Sequence, residues 1–131
     1  MQRKIVGIVA LTCVAFFASI GWAGSRMAAD SAPVSVKGYV LDSACAFTKG
    51  LAKPISRECA LQCANAGSPL VILTDDGTIY WPIAGTTPSS GQNSKLLPYA
   101  GEKVTVRGKV YERGGSRAIV IDHIDAEPAH K

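Results

Sequence analysis

From Val34 onward the chain alternates. Val34, Val36, Gly38 and Val40 fall on one side, and Ser35, Lys37, Tyr39 and Leu41 on the other. A period of two is what an extended strand imposes on its two faces. Leu41-Asp42-Ser43-Ala44-Cys45 ends this first strand, and residues 46–55, with Gly50 and Pro54, predict a loop. The period then changes. Ser56 has the chemistry of a helix cap, Glu58 sits at the positive helix start, and Gly67 is placed to stop the segment. On that helix Ile55, Cys59, Cys63 and Ala66 share a face, with Arg57 and Leu61 roughly opposite, so the cysteine stripe is expected on the buried side.

Strand periodicity then returns. Pro69–Thr74 is a short apolar run, Asp75-Asp76-Gly77 is a hairpin turn, and Thr78–Ile83 is the returning partner, carrying Tyr80 and Trp81. Residues 84–92 predict a loop, and Asn93–Tyr99 a helical turn closed by Pro98 and Gly101. Lys103–Glu112 is the clearest strand. Val104, Val106 and Val110 take one face, with a bulge expected at Gly108. Arg113-Gly114-Gly115-Ser116 turns the chain, and Arg117–Asp125 pairs back. Five short strands with a helical turn between the third and fourth predict a mainly β, five-stranded OB-type barrel. A cysteine-bearing helix is inserted between strands 1 and 2. The competing architecture is an open five-stranded sheet with a helix packed on it.

The start of the chain follows a different rule. Arg3 and Lys4 precede an apolar run from Ile5 to Ile20, followed by small residues at Gly21-Trp22-Ala23. This predicts residues 1–23 as an export signal peptide, with an uncleaved N-terminal membrane anchor as the other reading. Residues 24–33 are small and polar and read as a linker, residues 34–125 as the OB-like domain, and residues 126–131 as a flexible tail. In either case the domain lies outside the cytoplasm, in the periplasm or beyond. Loss of Arg3 and Lys4 lowers the formal net charge from +4 to +2, so nucleic acid is not an expected partner. The expected partner is an envelope protein or an oligosaccharide. The membrane enters only through the N-terminal segment, if it is retained.

Export changes how the cysteines are read. Cys45, Cys59 and Cys63 lie in the exported part, where oxidised sulfur is favoured. The structural expectation is one disulfide, from Cys45 to Cys59 or to Cys63, pinning the inserted helix to the end of strand 1. A closed loop of about 14–18 residues stabilises by roughly 3 kcal/mol in the chain-entropy model. The alternative is a thiolate carrier of Cu or Zn built from Cys45, Cys59 and Cys63, with His123 as the histidine within the folded region. Thiol redox chemistry is a third reading. The spacing of the helix cysteines is one residue longer than the usual Cys-x-x-Cys. No Cys-x-x-Cys-His, Ser-His-Asp arrangement, phosphate loop or zinc-protease motif is present, so no catalytic residue and no resident cofactor is expected. Lys103, Arg107, Lys109 and Arg113 with Tyr111 make a possible ligand face on strand 4. Tyr39, Tyr80 and Trp81 offer stacking surface.

Several short strings carry a resemblance. These are Val36-Lys-Gly-Tyr-Val-Leu-Asp42-Ser-Ala-Cys45, Glu58-Cys59-Ala60-Leu-Gln-Cys63-Ala64, Asp76-Gly77-Thr-Ile-Tyr80 and Tyr99-Ala-Gly101-Glu-Lys-Val104-Thr-Val106-Arg-Gly108. Together they resemble a group of small exported bacterial domains, in which a Gly-x-Val/Ile-x-Asp-x-x-Cys strand precedes a Cys-x-x-x-Cys helix and OB-like strands. The likeness spans roughly residues 34–125. It implies an OB-like fold and an exported location, with the group's activity unsettled. In that group a histidine often stands about three residues before the first helix cysteine. This chain has Ser56 there, which weakens any transfer of metal binding.

Overall fold

The computed structural model describes residues 32–128. The predicted leader, most of the linker and the last three residues lie outside that range. Five strands make one mixed sheet: β1 (Val34–Asp42), β2 (Leu70–Leu73), β3 (Ile79–Ile83), β4 (Lys103–Arg113) and β5 (Ser116–Ala126). The neighbour order is β1-β2-β3-β5-β4, and β4 returns to β1, so the sheet closes on itself. Every pairing is antiparallel except β3 with β5.

β1 serves two neighbours in turn. Val34–Tyr39 pair with β4 and Tyr39–Asp42 pair with β2. Gly38 sits at that change of partner. A Cβ there would lie 2.6 Å from the Leu73 carbonyl oxygen, so the closing sheet requires a glycine at this position. The bulge expected at Gly108 forms between Arg107 and Gly108, with its extra residue on the partner strand. Arg107 pairs with His123 and Gly108 with Ile121, which leaves Asp122 of β5 as the extra residue. Gly108 is needed for a different reason: a Cβ there would meet the Val120 carbonyl oxygen at 2.1 Å.

The interior is filled by Val36, Val40, Leu70, Ile72, Val104, Val106, Ile119 and Ile121, the alternate residues of four strands. Its open end is plugged by Leu96 of α3 (Asn93–Leu96), which is wholly buried. The Asn93 side chain fixes that plug. Its Oδ1 accepts from the Leu70 amide at 2.8 Å, and its Nδ2 donates to the Ser68 carbonyl at 2.8 Å. β5 and the chain beyond it stay ordered past the predicted tail boundary. The Glu127 amide donates to the Lys103 carbonyl at 2.8 Å, and its carboxylate accepts from Thr105 and Lys37.

The segment between β1 and β2 holds more helix than its composition suggests. Where a loop was expected, α1 (Ser43–Thr48) forms, followed by a 3-10 turn at Gly50–Ala52 and then α2 (Arg57–Asn65). The Asp42 side chain caps α1 by accepting from the Cys45 amide at 2.8 Å. Ser56 caps α2 by accepting from the Cys59 amide at 3.3 Å. The end of α2 is a Schellman turn. Gly67 has φ of +95°, Ser68 N–H donates to the Cys63 carbonyl and Gly67 N–H donates to the Ala64 carbonyl.

Candidate functional site

Two places on the insert bring chemistry together. The first is a sulfur pocket. Leu41, Asp42, Cys45, Lys53, Ile55, Ser56 and Cys59 are among the residues enclosing about 20 Å³, room for one water-sized occupant. Cys45 and Cys59 occupy equivalent places, each the third residue of its helix with its amide bound to the capping side chain. The pocket thus lies between two helix starts.

The charged groups around these sulfurs differ. Asp42 is buried at 3% exposure. Burial pushes its carboxyl up, but hydrogen bonds from Ser68, Cys45 and Ala44 outweigh this and hold it below the usual value. Burial, then Asp42, pushes the Cys45 thiol up. Burial, then the charge of Asp42 and the nearby Cys59, pushes the Cys63 thiol up. Lys53 approaches the third sulfur. Its Nζ lies 3.5 Å from Cys59 Sγ, and that contact raises the lysine above its ordinary value.

The three cysteines among the described residues, Cys45, Cys59 and Cys63, are unbridged, with no pair of sulfurs at bonding distance. The Cys59 sulfur has Lys53 as a polar partner, while Asp42 binds the Cys45 amide. The predicted buried face of α2 is also revised. Ala60 and Ala64 are the buried residues, and the cysteines stand half-buried on the flank. Small side chains let the helix lie close to the sheet. Gly101 serves the same packing: a Cβ there would sit 2.4 Å from Arg57 Cα. The Arg57 guanidinium then donates to the carbonyls of Pro98 and Ala100 and pairs with Glu102 at 2.8 Å.

The second place is a groove of about 350 Å³ lined by Phe47, Thr78, Ile79, Trp81, Glu112 and Arg117 among others. Phe47 comes from α1, Trp81 from β3, and Glu112 and Arg117 from the β4–β5 hairpin. The Phe47 and Trp81 rings are 5.9 Å apart at 35°. Phe47 is 64% exposed, an unusual cost for a large apolar ring unless something covers it. At the groove's polar end Arg117 Nε pairs with Glu112 at 3.1 Å.

The predicted strand-4 ligand face is not a continuous positive surface. Lys103 is paired with Asp75 at 2.6 Å and lies over the Tyr39 ring. Arg107 pairs with Asp125 at 3.7 Å. Lys109 lies over the Tyr111 ring, and both line a separate recess with Asp122. Arg113 is exposed at the end of β4. His123 lies in β5, 2.8 Å from Asp125, and is not gathered with the sulfurs. Among the described residues no set of three or more His, Cys, Asp or Glu side chains is grouped to hold a metal ion. Tyr80 packs against the interior, so of the three predicted stacking residues Trp81 is the one in the groove.

Sequence reasoning passed over Phe47, Lys53 and Ser68. The Asp42-x-x-Cys45 spacing is a capping signal that marks α1, and through it the position of Phe47. Nothing in the local pattern marks Lys53. Among the described residues no helix is long and apolar enough to cross a membrane. In comparison with known proteins, no family model, no curated protein and no solved structure matches this chain.

Proposed function

We propose that this chain is an exported, non-catalytic domain of OB type that binds an oligosaccharide of the cell envelope in the groove between α1, β3 and the β4–β5 hairpin. The closed order β1-β2-β3-β5-β4, parallel only between β3 and β5 and with a helical turn between β3 and β4, supports the OB assignment. Domains of that type use the β2–β3 face and the loops after β1 and β4 for ligands. The observation that carries the reading is that these same loops and β3 supply the walls of the Phe47–Trp81 groove.

The lining suits a sugar. Aromatic rings offer flat apolar faces, while Thr78, Ser116, Glu112 and Arg117 offer hydroxyl and charged hydrogen-bonding groups beside them. The predicted leader and the modest charge that would remain without it favour an envelope ligand over nucleic acid. In an oxidising compartment, a bridge from Cys45 to a helix cysteine staples the insert that carries Phe47.

Trp22 and Trp81 are the two tryptophans of the chain, so Trp22→Phe leaves Trp81 as a single fluorescent reporter inside the groove. Titration with N-acetylhexosamine oligomers is expected to give a saturable change in its emission. Phe47→Ala should weaken that binding by about tenfold, roughly the worth of one stacked ring. A response to extended peptides in place of sugars would redirect the groove to a protein partner. No response to either would sink the reading.

A further inference from the structure

The sulfur pocket has a chemical polarity that a purely structural staple does not need. We propose that Cys59 is a nucleophilic thiol that exchanges with low-molecular-weight disulfides, and that Cys45, across the pocket, is the thiol that resolves the adduct. This stands apart from the ligand groove, and failure of either proposal leaves the other intact.

Three observations carry it. Cys59 lies in the first turn of a nine-residue helix, where the helix start favours negative charge. Lys53 directs its ammonium to the sulfur at 3.5 Å and is itself exposed, so a disulfide can reach the pair from solvent. The pocket wall holds a second sulfur, Cys45, whose amide donates to Asp42 at 2.8 Å and whose thiol is pushed up by burial and then by that carboxylate. The groups that bear on the sulfurs are Asp42 from β1, Lys49 and Lys53 from the connection, and Cys63 one turn along α2.

Burial and Asp42 keep Cys45 protonated, which suits the second step of an exchange and not the first. Cys63 is held up by burial and by its neighbours and does not line the pocket.

The step balances without a cofactor. The Cys59 thiolate, its proton lost to solvent, attacks one sulfur of R–S–S–R′. The bond from Cys59 Sγ to the R sulfur forms as the substrate S–S bond breaks, and R′ leaves as a thiolate that takes up a proton. Cys45 then gives up its proton and attacks Cys59 Sγ, expelling R as a thiolate that is likewise protonated. Two protein thiols are oxidised to one disulfide, and one substrate disulfide is reduced to two thiols.

The test exposes the reduced full-length chain briefly to oxidised glutathione near neutral pH, quenches with acid and locates adducts by peptide mass spectrometry. The first adduct is expected on Cys59, about tenfold ahead of Cys63, and is expected to give way to a Cys45–Cys59 bridge. Lys53→Met should slow the adduct several-fold while Lys53→Arg preserves the rate. Iodoacetamide labelling of the same variants gives a second readout, since loss of the charge slows Cys59 alone. A first adduct on Cys45 or Cys63, or a Cys59 rate indifferent to Lys53→Met, overturns the proposal. A final Cys59–Cys63 bridge overturns the role given to Cys45.

Discussion

β2 is buried on both faces, and the two faces are held in different ways. Leu70 and Ile72 point into the closed sheet, among side chains from β1, β4 and β5 and the Leu96 plug. Val71 and Leu73 point outward, under the insert, where they meet Leu41, Ala46, Tyr39, Ile55, Ile79 and Trp81. The inner cluster is ringed by paired strands and completed by Leu96 and by Ala64 of α2. The outer one is covered by the insert through Ala46 of α1 and Ile55 of the connection, and the insert is held by its helix caps and by the Arg57 latch. Interior packing that cannot relax carries stability. A cover held by polar ties can carry exposed rings and accessible sulfur. The unusual features of the molecule, the exposed Phe47 and the thiols, all lie on the cover.

Identical truncations on the two faces give the sharpest test of this contrast. Leu70→Ala is expected to cost about 3–5 kcal/mol, because the ring of strands cannot close over the cavity. Leu73→Ala, in the same strand, should cost nearer 2–3 kcal/mol, because the insert can settle into the space. Chemical denaturation of both variants reads the difference, and equal losses would break the comparison.

Asp42→Ala should cost about 1–2 kcal/mol through loss of the α1 cap. It should loosen the insert first, seen as faster amide exchange in α1 than in the strands. Asp42 also sets an acid limit. Its folded value lies below the ordinary 3.8, so its contribution is fully present above 3.8 and is lost as pH falls through the folded value. Glu127 is lowered from 4.5 by its Thr105 hydrogen bond and acts in the same sense. Acid unfolding curves of the wild type and Asp42→Asn should therefore diverge above that range and converge below it.

The smallest expected effect is at the latch. Arg57→Met should cost under about 1 kcal/mol, since the Glu102 pair is half-exposed. It should nonetheless raise proteolytic cleavage of the insert while leaving the sheet resistant.

Much of the framework was legible in residue order. The alternation at Val34–Leu41 and Val104–Val110 marks β1 and β4, and Asp76-Gly77 marks the hairpin whose Gly77 takes φ of +84°. Ser56 and Gly67 bound α2 because capping is local chemistry. The site was less legible. A helical wheel placed the cysteines on the buried side of α2, but contact with the sheet selected Ala60 and Ala64, the residues small enough for a close approach. The charges of β4 suggested one ligand face, but Asp75 and Asp125 come from elsewhere in the chain to neutralise two of them.

Residue order alone therefore determined which segments are strands, where α2 starts and stops, and that three cysteines gather around one insert. These follow from periodicity and from hydrogen bonds spanning a few residues. Tertiary structure decided the parallel pairing of β3 with β5 and the return of β4 to β1. It also decided the approach of Lys53 to Cys59 and the meeting of Phe47 with Trp81. Each of these joins groups whose neighbourhood is set by closure of the whole sheet and by packing of the insert against it, and no local pattern in the chain encodes that distance.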